Sequence, residues 1–169
     1  VAFLYLKLFQ RLGYFERVSK IPQLIRDHIV AQTGYPRSSK LSELVRFENS
    51  GGRQQLVNAL RRYLDVRPLD QQGQVWLQHV AETSADTRHV VADIINVLLE
   101  ELVHHRYEFP AFSTLERVAI RARERIHDTH FASITRQLDP KVKSLIDVLF
   151  KKQANDATTG WNLLKREPK

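Results

Sequence analysis

Apolar residues recur at intervals of three and four along most of this 169-residue chain. This spacing places them on one side of an α-helix. It predicts helices over residues 2–13, 22–34, 41–47, 53–65, 71–83, 87–106, 113–127 with a continuation to about 137, and 139–150. Nowhere do apolar and polar residues alternate over a useful length between turn-forming residues, as a strand requires. The pattern predicts an all-α, multi-helix bundle.

Glycine, proline and capping residues mark the ends of these segments. Gly13 and Gly34 close the first two helices, and Asn49-Ser50-Gly51-Gly52 is the strongest break in the chain. Ser113 and Glu116 have the spacing of a capping box, in which each side chain accepts a backbone N–H at a helix start. The breaks predict two helix-turn-helix-like subdomains, 1–68 and 69–150, and a frayed linker, 151–169, toward a longer parent protein.

The apolar sides of the segments predict how the helices pack. Segment 87–106 carries more apolar surface than a single stripe, so we expect it to be the central helix, with these residues inward: Val90, Val91, Ile94, Ile95, Leu98, Leu99, Leu102 and Val103. The second helix is expected to carry four residues on one side: Leu24, Ile25, His28 and Ile29. A last helix, started by Asp139-Pro140, is expected to bury Val142, Leu145, Ile146, Leu149 and Phe150.

Composition narrows the class of partner. Lys and Arg number 26 against 19 Asp and Glu, which gives a net charge of +7 and favours a polyanionic partner or an acidic surface. Cysteine is absent, so disulfides and thiolate zinc sites are excluded, in agreement with a cytoplasmic location. No apolar run approaches the roughly 20 residues of a membrane span, and no signal peptide is evident, so no membrane partner is expected.

Two basic helix faces are the candidates for nucleic-acid contact. The first follows the glycine break, as the second helix of a helix-turn-helix unit would, and carries Arg53, Gln54, Asn58, Arg61, Arg62 and, just beyond it, Arg67. The second lies on the helix from residue 113 and carries Ser113, Thr114, Arg117, Arg121 and Arg125. Arg, Gln and Asn can bind base edges, and Arg also binds phosphate. The alternative is that both are ordinary solvated faces.

An enzyme site is harder to find in the sequence. Glu101 and His104 form one Glu-x-x-His pair and Glu124 and His127 another, as in di-iron bundles. The two further inward-facing glutamates that such a site needs are missing from helices 2–13 and 22–34. A nucleophile elbow and a P-loop are also missing, so we expect neither catalysis nor a cofactor from this chain.

Several segments carry a family resemblance: Leu12-Gly13-Tyr14-Phe15, Ile21-Pro22, Tyr63-Leu64-Asp65-Val66-Arg67-Pro68, the run from Ile94 to Val103, and Tyr107-Glu108-Phe109-Pro110-Ala111-Phe112-Ser113-Thr114-Leu115-Glu116-Arg117. Together they resemble the N-terminal region of Tn-three family transposases, the enzymes of replicative transposons. The resemblance implies recognition of the transposon's terminal inverted repeats in double-stranded DNA. It also implies that a metal-dependent catalytic domain lies elsewhere in the parent protein, so this piece would be a non-catalytic fragment.

A second function remains open at this point. The same helices would serve self-association of the transposase if Phe3, Tyr5, Leu6 and Trp161 formed an exposed apolar patch.

Overall fold

The computed structural model describes residues 1–32 and 41–151. Within those ranges the chain forms eight α-helices: α1 Ala2–Leu12, α2 Gln23–Ala31, α3 Leu41–Glu48, α4 Gly51–Leu64, α5 Gln71–Ala85, α6 Val91–His104, α7 Phe112–Gln137 and α8 Pro140–Phe150. A short 3-10 helix, Val18–Lys20, follows α1, and the described part of the chain contains no β-strand. The all-α prediction is confirmed. The chain forms two compact units, one of Val1–Arg123 and one that begins at Glu124.

A first core lies among α1, α2, α3 and α4. Its buried side chains are Leu4, Tyr5, Leu8, Phe15, Val18, Ile29, Leu44, Val57 and Leu60. Leu4 and Leu8 point inward as the helical spacing predicts. The exposed patch proposed for self-association is wrong in two of its members, because Tyr5 is fully buried and Leu6 packs against this core. Trp161 lies outside the described residues.

The buried Tyr5 has a hydrogen-bond partner for its hydroxyl on α3, the carboxylate of Glu48. The Tyr5 hydroxyl donates to Glu48 Oε1 at 3.0 Å, and the backbone N–H groups of Val18 and Ser19 donate to the same side chain. Burial raises the pKa of Tyr5. Burial also acts to raise the pKa of Glu48, but the hydrogen bonds from Ser19, Tyr5 and Val18 outweigh it and hold that pKa below its usual range. Glu48 therefore joins α1, the 3-10 helix and α3.

Helix α2 is shorter than expected and packs through fewer residues. Ile29 is buried, but Leu24 is 82% exposed and Ile25 and His28 are also exposed, so the side on which these four residues lie is mostly uncovered. The predicted end at Gly34 lies outside the described residues. Helices α3 and α4 pack together across Asn49 and Ser50, and Ser50 caps α4 by accepting the Gly52 N–H at 3.3 Å.

A second group of buried residues lies on α5, α6 and α7, and α5 and α6 pack against each other. Ile94, Leu98 and Leu102 are fully buried, with Leu77, Ala81 and Ala85 of α5 and Leu115, Ala119 and Ala122 of α7 among the other buried residues of this half. Helix α6 begins at Val91, however, four residues later than predicted. Val90 is its extended N-cap residue and Val103 turns outward, so the expected burial of these two residues is wrong.

The start of α7 differs from the predicted capping box. The helix begins at Phe112, and the Ala111 carbonyl already accepts the Leu115 N–H at 3.3 Å. Ser113 therefore lies within the first turn instead of at the N-cap, where a side-chain cap would act. The helix then continues to Gln137, which agrees with the predicted continuation.

In the second unit, α8 begins as predicted, with the Asp139 carboxylate accepting the Lys141 N–H at 2.7 Å. Its predicted buried side is wrong: Val142, Leu145 and Phe150 are exposed, and Ile146 and Leu149 are only partly covered. Among the described residues, no helix combines the length and the apolar character needed to cross a membrane.

Candidate nucleic-acid interface

Three separated segments of the chain meet in one backbone junction within the first unit. The Phe109 N–H donates to the Gly13 carbonyl at 2.8 Å, which ties the end of α1 to the loop before α7. The Arg67 N–H donates to the Arg106 carbonyl, and the Glu108 N–H donates to the Arg67 carbonyl, both at 2.9 Å. The loops after α1, α4 and α6 therefore hold one another in place.

Gly13 is required at this junction for two reasons. Its φ of 76° is in the left-handed region, where a Cβ is strained. A Cβ on Gly13 would also lie 2.4 Å from the Phe109 ring. The close approach of the two loops depends on this glycine.

Arg61 is held by the same junction. Its Nε and Nη2 donate to Glu108 Oε2 at 3.0 and 2.6 Å, and Nη1 donates to Asn58 Oδ1 at 3.2 Å. The guanidinium also lies 5.7 Å from the centre of the Phe15 ring. Arg61 thus contacts a carboxylate, an amide and an aromatic ring within its own chain.

Arg53 is also committed to internal contacts. Its Nη2 donates to the Phe15 carbonyl at 3.1 Å and its Nε donates to the Tyr5 hydroxyl at 3.3 Å. These bonds connect α4 to α1 and to the loop that follows α1. Arg53 therefore stabilises the first core.

Arg67 sits over an aromatic stack. Its guanidinium carbon lies 4.0 Å from the centre of the Tyr107 ring, and Tyr107 stacks on Trp76 of α5 with ring centres 5.2 Å apart. Gly73 makes room for this ring, because a Cβ there would lie 3.0 Å from Tyr107. The arginine is nevertheless exposed, so its donors are accessible from solvent.

Two adjacent grooves open on this surface. The first, called here the α4 groove, measures about 740 Å³ and is lined by Asn58, Arg61, Arg62, Arg67, His105 and Arg106 among others. The second, called the α5–α7 groove, measures about 840 Å³, and its polar lining includes Arg61, Gln71, Gln74, Thr114, Arg117 and Arg121. Arg61 and Pro68 line both grooves, so the two form one continuous surface.

The charge of this surface is strongly positive. Six arginines line the two grooves: Arg61, Arg62, Arg67, Arg106, Arg117 and Arg121. Only two carboxylates line them: Glu108, which is paired with Arg61, and Asp65, which lies 3.7 Å from Arg106. Both partners of the second pair are largely exposed, so water screens that attraction. A concave surface with this excess of arginine attracts anions.

A family model described as Domain of unknown function (DUF4158) matches residues 2–122. The chain belongs to this family. The matched range includes both grooves and the junction beneath them. No curated protein matches the chain.

The residues singled out from the sequence fall into three groups. Arg53 and Arg61 make the internal contacts described above. The exposed residues on α4 and α7 are Gln54, Asn58, Arg62, Ser113, Arg117 and Arg121, with Thr114 half-buried and Arg67 exposed in the loop after α4. Arg125 belongs to the second unit.

Some residues of the surface had no distinct signal in the sequence. Arg106 lines the α4 groove with a φ of 56°, yet in the sequence it is only a basic residue after two histidines. Gln71 and Gln74 of α5 line the α5–α7 groove, and their helical spacing of three was the only available indication. Among the described residues, no group of three or more His, Asp or Glu side chains is placed to hold a metal ion.

Proposed function

We propose that this DUF4158 domain binds double-stranded DNA as the N-terminal part of a replicative transposase, and that the DNA it recognises is the terminal inverted repeat of the transposon. The observation that carries the proposal is the continuous surface of two grooves lined by six arginines and two carboxylates. Phosphate neutralisation by arginine supplies most of the affinity of such surfaces for DNA.

The sequence resemblance supplies the biological setting. The motifs that resemble Tn-three family transposases include Leu12-Gly13-Tyr14-Phe15 and the segment from Tyr107, and these two form opposite sides of the backbone junction. Their role in the junction is structural, because they position the loops between the grooves. The proposed role is binding alone, with strand cutting and joining left to a catalytic domain elsewhere in the parent protein and with the bacterial cytoplasm as the location.

The test is a fluorescence-anisotropy titration of the 169-residue chain at several salt concentrations. The probes are a duplex containing the terminal repeat of the element that encodes the chain and a shuffled duplex of equal composition. We expect tighter binding to the repeat, and a linear fall of log K with log salt whose slope is about −0.9 per phosphate contact. Absence of binding to both duplexes at low salt would refute the proposal.

The variant for this titration is Arg62→Ala with Arg67→Ala, because neither side chain pairs with a carboxylate in the described part of the chain. We expect weaker binding to both duplexes and a slope reduced by about 2. Arg46→Ala on α3 is the matched control, since this exposed arginine lines neither groove.

Self-association is a second candidate, favoured by one observation. The second unit exposes large apolar side chains on α7 and α8, including Phe131, Leu145 and Val148. Exposed apolar surface of this kind marks interaction sites. Sedimentation at increasing salt tests it: apolar association should persist or strengthen, and a monomer at all protein and salt concentrations would rule it out.

A further inference from the structure

Two helix faces with the same residue spacing line the α5–α7 groove. On α5 the lining residues with solvent exposure are Gln71, Gln74, Val75 and Gln78, beside the buried Leu77, and on α7 they are Thr114, Arg117, Val118 and Arg121. Both sets follow the spacing i, i+3, i+4, i+7, which keeps each set on one side of its helix. The α5 face has amides and a valine but no charge, whereas the α7 face has two arginines.

Of the three amides of α5 that line the groove, those of Gln71 and Gln74 are available for a ligand, while Gln78 donates to Glu82 Oε1 at 3.0 Å. The side-chain amides of Gln71 and Gln74 form no hydrogen bond within the part of the chain that the structure describes, and both residues are exposed. The amides of α4 differ, because Gln54 donates to Asn58 at 3.1 Å and Asn58 in turn accepts from Arg61. The sequence favoured α4 as the reading helix, but its amides are already engaged with each other and with the junction.

The α5 face has the chemistry that reads A·T base pairs. A glutamine amide can donate and accept at once, as adenine N6 and N7 require, and an apolar side chain can contact the thymine methyl group. Val75 is 68% exposed, beside Gln74 in the sequence. The residues lie in the N-terminal half of α5, the part of a recognition helix that contacts bases. The carboxylate that starts α5, Asp70, is occupied in accepting the Gly73 N–H at 2.8 Å.

The α7 face has the complementary chemistry for the backbone. Arg117 and Arg121 are exposed, with no carboxylate partner among the described residues. Arginines one turn apart on a helix can bind phosphates along one strand. A groove between the two helices accepts a convex ridge, and the ridge of a duplex is its sugar-phosphate backbone.

We propose that α5 is the base-reading helix of this domain, in which Gln71, Gln74 and Val75 read A·T pairs in the major groove while Arg117 and Arg121 bind phosphates of the strand beside it. This inference rests on the DNA-binding function proposed above, and it adds the separation of sequence reading from backbone binding. It also moves the reading role from α4 to α5.

The test is selection from a pool of random DNA duplexes, followed by sequencing and by anisotropy titration of the enriched duplex. Four proteins are compared: the unchanged chain, Gln71→Ala with Gln74→Ala, Arg117→Ala with Arg121→Ala, and Gln72→Ala as the matched control. Gln72 is an exposed glutamine on the same helix that does not line the groove. Circular dichroism establishes that each variant keeps its helical content.

We expect the unchanged chain and Gln72→Ala to select the same motif containing A·T pairs. The Gln71/Gln74 variant should lose at least about tenfold of the preference for that motif, with binding to an unrelated duplex unchanged within about twofold. The Arg117/Arg121 variant should select the same motif with lower affinity and a salt slope smaller by about 2.

Two results would overturn the inference while leaving DNA binding intact. One is an unchanged motif in the Gln71/Gln74 variant, and the other is an altered motif in the Arg117/Arg121 variant. A chain that enriches no duplex and binds none at low salt would instead remove the proposed function, and the inference with it.

Discussion

The arginines of α4 and those of α7 show the same pattern in the sequence, but the structure uses them differently. Arg53 and Arg61 of α4 bind groups of their own chain, namely Tyr5, the Phe15 carbonyl and Glu108. Arg117 and Arg121 of α7 are exposed and line a groove. Helical spacing therefore predicts which arginines point away from a core. It does not predict which of them forms a hydrogen bond with a residue distant in the sequence.

The junction of loops accounts for the difference. Glu108 lies 47 residues beyond Arg61 in the sequence and is held beside it because its own N–H binds the Arg67 carbonyl. No comparable acidic loop is placed against the exposed face of α7 in the described part of the chain. The α4 side is built for stability as well as for contact, and the α7 side leaves its charges available.

Among the variants that disturb the loop junction beside α4, Gly13→Ala should cause the largest loss of stability. We expect a loss of about 3 kcal/mol in the free energy of unfolding, since the left-handed backbone is strained by a Cβ and the methyl group would overlap the Phe109 ring. Urea denaturation measures it. Gly51→Ala is the matched control, because a Cβ there meets nothing within 4 Å and alanine favours the helix. If the two variants had equal free energies of unfolding, the claim that the junction depends on Gly13 would be wrong.

Removing one arginine from α4 and one from α7 should have unequal effects on stability. Arg61→Ala should lower the free energy of unfolding by about 2 kcal/mol, less than for a fully buried pair because the Arg61 and Glu108 side chains remain 21% and 16% exposed. Arg117→Ala should change it by less than about 0.5 kcal/mol. If urea denaturation gave both variants the same loss, the division into structural and available arginines would be wrong.

The helices could be predicted from the sequence because apolar periodicity is a local property. The spacing of Leu4 and Leu8 and the N-cap at Asp139 both lead to the helices that form. Burial was less predictable, because an apolar side needs something to cover it. Leu24 and Leu145 lie on apolar sides and remain exposed.

The sequence predicted individual residues of the candidate surface but not the grooves that bring them together. Helical geometry identified Arg62, Arg117 and Arg121, and the grooves join these residues with Arg106 and with the amides of α5. The joining depends on the left-handed turns at Asp65 and Arg106 and on the bonds between Arg67 and the 106–108 loop. These contacts connect residues about forty positions apart in the sequence, so a local sequence pattern does not predict them.

The two ion pairs of the surface should contribute unequally to stability, because the side chains are 21% and 16% exposed in the Arg61–Glu108 pair but 63% and 87% exposed in the Arg106–Asp65 pair. Glu108→Gln should cost about 1 kcal/mol of unfolding free energy, because the amide keeps the shape but loses the charge that Arg61 and the Phe15 N–H contact. Asp65→Asn should change it by less than about 0.5 kcal/mol, since the Arg106 pair is exposed and asparagine tolerates the left-handed backbone. Thermal and urea denaturation at low and high salt measure both. A larger loss in Asp65→Asn would reverse the ranking of the pairs.

A pH-dependent effect is expected from Glu48, whose hydrogen bonds hold α1, the 3-10 helix and α3 together. Its pKa is lower in the folded chain than the ordinary value of 4.5, so its ionised form favours folding above that value. This stability should be lost progressively as the pH falls from about 4.5 through the lower folded value. Glu48→Gln should therefore flatten the acid side of the curve of unfolding free energy against pH. Glu43→Gln on the same helix, whose side chain is exposed, is the control and should leave the curve unchanged. An acid limb of the same steepness in Glu48→Gln would show that other carboxylates determine it.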